Sequence, residues 1–192
     1  IHPEELVEMA TATLDEHPNK RVIIHFMQPH TPYLGEYASE LHKRVSEEYD
    51  ISFERVQSSG NSAKKSETIN DLRVAEKRGY ISREQLVRAY EENLDLVLDY
   101  VKTLLQEISG KSVITSDHEE ILGDTSSFLY NQLPFVHKHG HPAKTYLPEL
   151  RYVPWLVVED YSERREVIKE EPIGTDRVKE STVEEHLKAL GY

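Results

Sequence analysis

Two adjacent side chains in the second half of the chain could bind a metal ion. Asp117 and His118 directly follow the β-branched run at residues 112–116. Carboxylate oxygen and imidazole nitrogen are both good ligands for divalent cations, and a turn after a strand can aim neighbouring side chains at one point. The alternative is that Asp117 and Glu120 form a capping box for a following helix, with His118 an ordinary surface residue.

A histidine-rich segment, residues 137–142 (HKHGHP), lies further along the chain. In extended backbone its three alternating histidines point to one side. Together with Asp117 and His118 they would complete a metal site, whereas a solvated, histidine-rich loop is the alternative. The cations near this segment, each able to hold an anionic oxygen, are Lys138, Lys144 and Arg151.

The elements that must position these groups follow from apolar patterning. Residues 22–27 (VIIHFM) are a nearly continuous apolar run, which predicts a buried strand of a parallel sheet, with His25 in the core or behind the site. His30 follows that strand, as Asp117 and His118 follow the strand at 112–116. Because ligands bind beyond the carboxyl ends of parallel strands, the three side chains are expected at one sheet edge.

Helices and one further strand complete the predicted pattern. The spacing predicts helices over residues 3–17 and 83–109, the second with a capping box at Ser82 and Gln85. Residues 153–158 are a third buried strand, and residues 182–190 a short helix. Residues 36–80 are treated as an insertion or loop, with helices expected at 37–49 and 69–77 and a polar loop at 57–68. The pattern predicts an α/β fold with a mostly parallel sheet sandwiched between helices.

Composition excludes several classes of protein. The 192 residues carry a formal net charge of −12 without a basic cluster, which argues against nucleic-acid binding. There is no cysteine, so disulfides, thiolate metal sites and a cysteine nucleophile are excluded within this chain. No apolar run is long enough to span a membrane and no signal peptide opens the chain, so a cytoplasmic location is expected. Homo-oligomerisation stays open.

Four segments, in the same order and at similar spacing, resemble sulfatases of the alkaline phosphatase superfamily. Residues 25–33 (HFMQPHTPY) are similar to that family's strand followed by P-H-x-P, and residues 114–123 (ITSDHEEILG) to its T-S/A-D-H-G-E-x-L-G segment. Residues 90–105 resemble the long helix before that strand. The stretch 140–156 resembles the later segment of a histidine, a loop and V-P. The resemblance covers residues 20–192 apart from 36–80.

The resemblance implies a metal-dependent enzyme acting on small anionic sulfate or phosphate esters. Asp117 and His118 would be metal ligands, with His141 as the downstream ligand and His139 the next choice. His30 would be the catalytic group that contacts the anion or the leaving oxygen. The substrate-binding side chains would be His139, Lys138 and Lys144. The ion is Mn, Zn, Ca or Mg, and the mixed Asp/His set favours manganese or zinc over calcium.

Two departures from the family pattern limit what this chain can do. Glu119 stands where the family has glycine, which costs free energy if the position requires positive φ. The family's nucleophile segment and first metal-binding aspartate have no counterpart here, so residues 1–192 resemble the C-terminal portion of the domain. The parent protein would be an ester hydrolase, and this chain alone would be inert. The alternatives are a phosphotransferase or phosphomutase of the same superfamily, or an inactive binding module.

Overall fold

The computed structural model describes residues 1–54, 67–123, 139–140 and 147–158 of the 192-residue chain. The helices are α1 (Pro3–Glu16), α2 (Glu36–Glu48), α3 (Leu72–Lys77) and α4 (Arg83–Glu107), with a 3-10 turn at Pro148–Leu150. The strands are β1 (Ile51–Phe53), β2 (Glu67–Ile69), β3 (Ser112–Thr115), β4 (Ile121–Leu122), β5 (His139–Gly140) and β6 (Trp155–Val158). These residues therefore form a mixed fold of helices and small sheets.

The two long helices begin and end close to where the sequence predicts. Pro3 occupies the first turn of α1, and the helix ends before His17. In α4, the Ser82 hydroxyl accepts from the Gln85 backbone N–H and the Gln85 side chain accepts from the Ser82 N–H, so the predicted capping box is confirmed. The α4 face that is buried includes Leu86 and Val97. This long helix is the element against which α1, α2 and α3 pack.

The main hydrophobic core lies in the part of the chain that carried the weakest sequence signal. Residues 36–80 are not simply a loop, because their described part contains α2, β1, β2 and α3. The predicted helices at 37–49 and 69–77 are confirmed, although Ile69 belongs to β2 and α3 starts at Leu72. The buried residues of this core are Tyr33, Ala38, Leu41, Val45, Ile51, Phe53, Ile69, Leu72, Ala75, Ile81, Leu86 and Ala89.

The described strands pair in three separate two-stranded sheets, not in one large parallel sheet. Strands β1 and β2 are parallel, whereas β3 with β6 and β4 with β5 are antiparallel. The strand at 112–116 was predicted to pair in parallel. This prediction is wrong for β6, the strand that it pairs with in the described structure, because that pairing is antiparallel. Its register with β6 runs from Ser112 opposite Val158 to Thr115 opposite Trp155.

The predicted strand at residues 22–27 is wrong. The segment belongs to no described sheet, and its side chains alternate between exposed and half-buried. Ile24 and Phe26 pack against a small cluster between α1 and α4, while Ile23 is 96% exposed and His25 is also exposed. An apolar run gives a buried strand only where neighbouring strands cover both of its edges, and none does so among the described residues.

Strands β3 and β6 form where predicted but are not buried. Trp155 is 69% exposed, Leu156 56% and Val113 40%. The ribbon thus presents apolar side chains on both faces to solvent. The predicted helix at 182–190 lies outside the described residues. Within the described ranges, no helix is both long enough and apolar enough to cross a membrane.

Candidate functional site

The Asp117–His118 turn follows β3 after one residue, Ser116, and brings a carboxylate oxygen close to an imidazole nitrogen. The His118 Nε2 atom lies 3.7 Å from Asp117 Oδ2. The His118 Nδ1 atom lies 2.9 Å from the Glu119 carbonyl oxygen, and the His118 backbone N–H donates to Asp117 Oδ1 at 3.0 Å. A carbonyl oxygen only accepts, so Nδ1 is the donor in this contact, and Nε2 is the ring atom that faces the carboxylate.

This geometry fits a divalent metal ion. Two ligand atoms held about 2.1 Å from one ion at a tetrahedral angle are about 3.4 Å apart, close to the observed separation. A metal-binding histidine characteristically donates its other ring N–H to a carbonyl or carboxylate, as His118 does. Within residues 1–54, 67–123, 139–140 and 147–158, no group of three or more potential ligands is arranged to hold an ion. Among the described residues, Asp117 and His118 therefore offer two potential ligand atoms without a third.

The turn also decides two questions that the sequence left open. No helix follows Asp117, because residues 121–122 form β4, and the Glu120 carboxylate binds Arg73 instead of a helix N-terminus. The capping-box interpretation is therefore wrong. Among the described non-glycine residues, only Asp50 has positive φ. Glu119 thus occupies an ordinary backbone conformation, and its side chain is exposed, so replacing the family's glycine costs no backbone strain here.

His30 lies in the loop between residues 22–27 and α2. Its Nδ1 lies 2.9 Å from the Thr31 carbonyl oxygen, the same local arrangement as in His118. The loop is fixed to α4 by Asn93, which is fully buried. The Asn93 Nδ2 group donates to the Pro29 carbonyl at 2.9 Å, and its Oδ1 accepts from the Leu34 N–H at 3.1 Å. One amide thereby holds both ends of the loop that carries His30.

A buried ionic cluster connects the His30 loop to the Asp117–His118 turn. The guanidinium of Arg73 donates to Asp71 Oδ2 at 2.7 Å and to Glu120 Oε1 at 2.8 Å. A third contact runs from Arg73 Nη2 to Thr31 Oγ1 at 3.2 Å. The side chains of Asp71 and Glu120 are each only 7% exposed. Arg73 thus joins the two segments through Thr31 and Glu120, whereas no parallel sheet edge brings them together among the described residues.

The two carboxylates of the cluster differ in their electrostatics. Burial raises the pKa of Glu120, only partly offset by the charges of Arg73 and His30. Burial also acts on Asp71, but hydrogen bonds from Arg73 and from the first turn of α3 lower its pKa below the ordinary value. The charged form of Asp71 is stabilised more than that of Glu120, because Asp71 accepts hydrogen bonds from the N-terminus of α3 as well as from the Arg73 side chain. The charge of His30 acts on Glu120, so the two groups share one electrostatic environment.

His139, predicted to bind substrate, borders the same cluster from β5. Its Nε2 lies 2.8 Å from Glu76 Oε2, and its side chain is 16% exposed. Burial lowers the pKa of His139, opposed by Glu76 and reinforced by Arg73. The next residue, Gly140, has φ of +75°, and a Cβ there would lie 3.2 Å from Arg73 Nη1. The backbone of β5 therefore passes close to the guanidinium, and a side chain at residue 140 would be strained by the positive φ and tight against Arg73.

Arg151, a candidate anion-binding cation, and three predicted site residues have still to be placed. Arg151 is exposed in the turn after the 3-10 helix. The ligand prediction for His141 and the substrate-binding predictions for Lys138 and Lys144 fall outside the described residues. The structure thus describes four of the seven predicted site residues, namely His30, Asp117, His118 and His139.

Sequence reasoning missed Arg73, Asp71 and Asn93. One signal could have found Asn93: it stands seven residues after Leu86 and four before Val97, in line with the apolar stripe of α4. A polar residue in that position must find buried hydrogen-bond partners. Arg73 had no comparable signal, because a lone arginine near the start of a short helix resembles any solvated surface residue.

Comparison of the chain with family models, with curated protein sequences and with solved structures gives no match. The assignment of function therefore depends on the site geometry and on the motif resemblance.

Proposed function

We propose that this chain supplies part of a divalent-metal site in a sulfatase-like, metal-dependent hydrolase of sulfate or phosphate esters. The observation that carries the proposal is the Asp117–His118 pair, whose oxygen and nitrogen are 3.7 Å apart with the ring tautomer set by the Glu119 carbonyl. A metal ion bound there would polarise a non-bridging oxygen of the ester and lower the pKa of the nucleophile.

His30 would act on the leaving oxygen in this proposal. Its Nδ1 lies 2.9 Å from the Thr31 carbonyl oxygen, which fixes the ring, and the imidazole would exchange a proton or hold a developing charge. The charge of His30 reaches Glu120, which stands two residues after His118. The Arg73 contacts to Thr31, the neighbour of His30, and to Glu120 support placing the imidazole and the proposed metal ligands on one substrate.

The proposal includes a larger, mostly parallel sheet of the alkaline phosphatase type, of which β3 would be one strand. The support is the exposure of apolar side chains on both faces of the β3–β6 ribbon and at Ile23. Strands that are apolar on both faces are typical of sheets that are covered on both sides. In this arrangement the remaining metal ligands and the nucleophile come from strands beyond the described residues.

Calorimetric titration with Mn²⁺ and Zn²⁺ tests the metal site. We expect one ion to bind each chain, and the double variant Asp117→Ala/His118→Ala to weaken binding by more than about tenfold. The matched control is Asp15→Ala/His17→Ala, which removes the same residue types near the end of α1 and should leave binding unchanged. Equal binding by the wild-type chain and the first double variant would refute the metal site.

An assay of ester hydrolysis tests whether this chain lacks a nucleophile, as we propose. The chain alone should hydrolyse neither p-nitrophenyl phosphate nor p-nitrophenyl sulfate in the presence of Mn²⁺. Turnover that survives Asp117→Ala/His118→Ala would assign the chemistry to other residues. Turnover that this variant abolishes would show that the chain contains its own nucleophile.

The inactive binding module is less well supported than an active parent protein. Its main argument was Glu119 in place of glycine, and Glu119 here adopts ordinary backbone geometry with an exposed side chain. A phosphotransferase or phosphomutase uses the same ligands, so it would differ from a sulfatase in the nucleophile and not in the residues described here.

A further inference from the structure

The Arg73 guanidinium lies where three segments of the chain meet. It binds Asp71 at the start of α3, Thr31 in the loop of His30, and Glu120 in the turn after His118. The corresponding distances are 2.7, 3.2 and 2.8 Å. Thr31 and Asp71 are buried, so these contacts are shielded from water.

Only an arginine can make this set of contacts. Its planar guanidinium carries five N–H donors in fixed directions. Here Nε donates to Asp71, Nη1 donates to Glu120 and Nη2 donates to Thr31. A lysine would bring the same charge on a single ammonium group, which cannot reach the carboxylates and the hydroxyl in the same geometry. Replacing Arg73 by lysine therefore removes the bridge while retaining the charge that offsets Asp71 and Glu120.

We propose that Arg73 is a positioning residue that sets the distance between His30 and the metal held by Asp117 and His118. The inference rests on the proposed function, because it concerns the geometry of that same site. Arg73 does not touch substrate or metal. It acts through Thr31, the neighbour of His30, and through Glu120, two residues beyond His118.

Paramagnetic broadening by Mn²⁺ measures this distance without any need for turnover. In the full chain with labelled histidine, bound Mn²⁺ broadens the ring signals of nearby imidazoles, and the effect falls steeply with distance. The signals of His30 and His118 are identified by their loss in His30→Gln and His118→Gln. In the wild type we expect both signals to broaden at low Mn²⁺ concentrations. At the same concentrations the signals of His2 and His17, the residues that flank the two ends of α1, should be unaffected.

The diagnostic variant is Arg73→Lys. We expect His118 to broaden as in the wild type, while the broadening of His30 falls severalfold. The matched control is Arg78→Lys, at the end of the same helix, where the arginine pairs with Glu67 at a partly exposed site. That control should leave both signals as in the wild type.

A milder variant, Thr31→Val, guards against loss of the fold. It keeps the size of the side chain and removes only the hydroxyl that Arg73 contacts, so the broadening of His30 should again fall while that of His118 stays. Both variants are first checked by circular dichroism and thermal melting. If Arg73→Lys does not fold, Thr31→Val alone decides.

The outcomes separate the two proposals. Broadening of neither signal in the wild type refutes the metal site itself. Broadening of both signals, unchanged in Arg73→Lys and in Thr31→Val, overturns the role of Arg73 and leaves the metal site standing. Broadening of His118 alone in the wild type also overturns it, because His30 is then too far from the ion to be positioned.

Discussion

The buried amide of Asn93 offers the sharpest test of how the His30 loop is held. Asn93→Ala deletes the acceptor of the Leu34 N–H and the donor to the Pro29 carbonyl, at 3.1 and 2.9 Å. Asn93 is fully buried, so water cannot readily replace either bond. Each buried polar group left without a partner costs about 1–3 kcal/mol, which gives about 2–6 kcal/mol for the pair.

Urea unfolding followed by circular dichroism measures this loss of stability, with Asn19→Ala as the control. Asn19 is exposed, and its substitution should change the free energy of unfolding by less than about 0.5 kcal/mol. Hydrogen exchange adds a local readout: the Leu34 amide should exchange faster in Asn93→Ala, while amides in the middle of α1 change only with global stability. Equal losses in the two variants, together with unchanged exchange at Leu34, would refute the assignment of Asn93 as the residue that holds the loop.

Three further predictions concern charge, capping and exposure. Burial lowers the pKa of His42 from 6.5 to about 4, so the unfolded chain binds a proton that the folded chain does not. The free energy of unfolding should therefore fall by about 3 kcal/mol as pH drops from 6.5 to 4, and denaturant titrations should show a smaller fall in His42→Leu. A Cβ at Gly35 would overlap the Glu92 carboxylate, which accepts from two backbone N–H groups in the first turn of α2, so Gly35→Ala and Glu92→Ala should each lower the melting temperature. The double variant should lose little more than either single one, and full additivity would contradict the shared contact. Trp155, the single tryptophan, is 69% exposed, so acrylamide should quench its fluorescence readily and Trp155→Ser should change stability by less than about 0.5 kcal/mol.

The sequence predicted helices better than sheets because a helix is specified locally. Three signals show this: the capping box at Ser82, the proline in the first turn of α1 and the apolar stripe of α4. Each of them involves residues that are only a few positions apart in the sequence. Strand pairing depends on partners far away in the chain. The apolar run at 153–158 indicated a strand correctly, as β6 shows, but the similar run at 22–27 forms none, because neither run reveals which strand, if any, lies beside it.

The candidate site was predictable only in its ligand atoms. Asp117 and His118 are neighbours in the sequence, so their proximity needs no folded structure. Their place in a turn follows from the end of β3 just before them. The bridge through Arg73 depends on α3, which comes between the two motifs in the chain and carried a weak signal. A contact between residues 31, 73 and 120 has no periodicity or spacing that a single sequence could reveal.

The exposed ribbon and the two-ligand metal site have a common physical origin in the proposal. Strand β3 leads through Ser116 straight into Asp117, and its partner β6 exposes Trp155 and Leu156 on opposite faces. Strands added beside this ribbon would allow elements packed on both faces to cover those apolar side chains. The carboxyl ends of parallel strands meet at one edge, so the same strands would also bring their following turns to Asp117. If such strands are added, burial of Trp155 and gain of metal affinity should therefore occur together, and a gain in affinity with Trp155 still open to acrylamide would contradict this coupling.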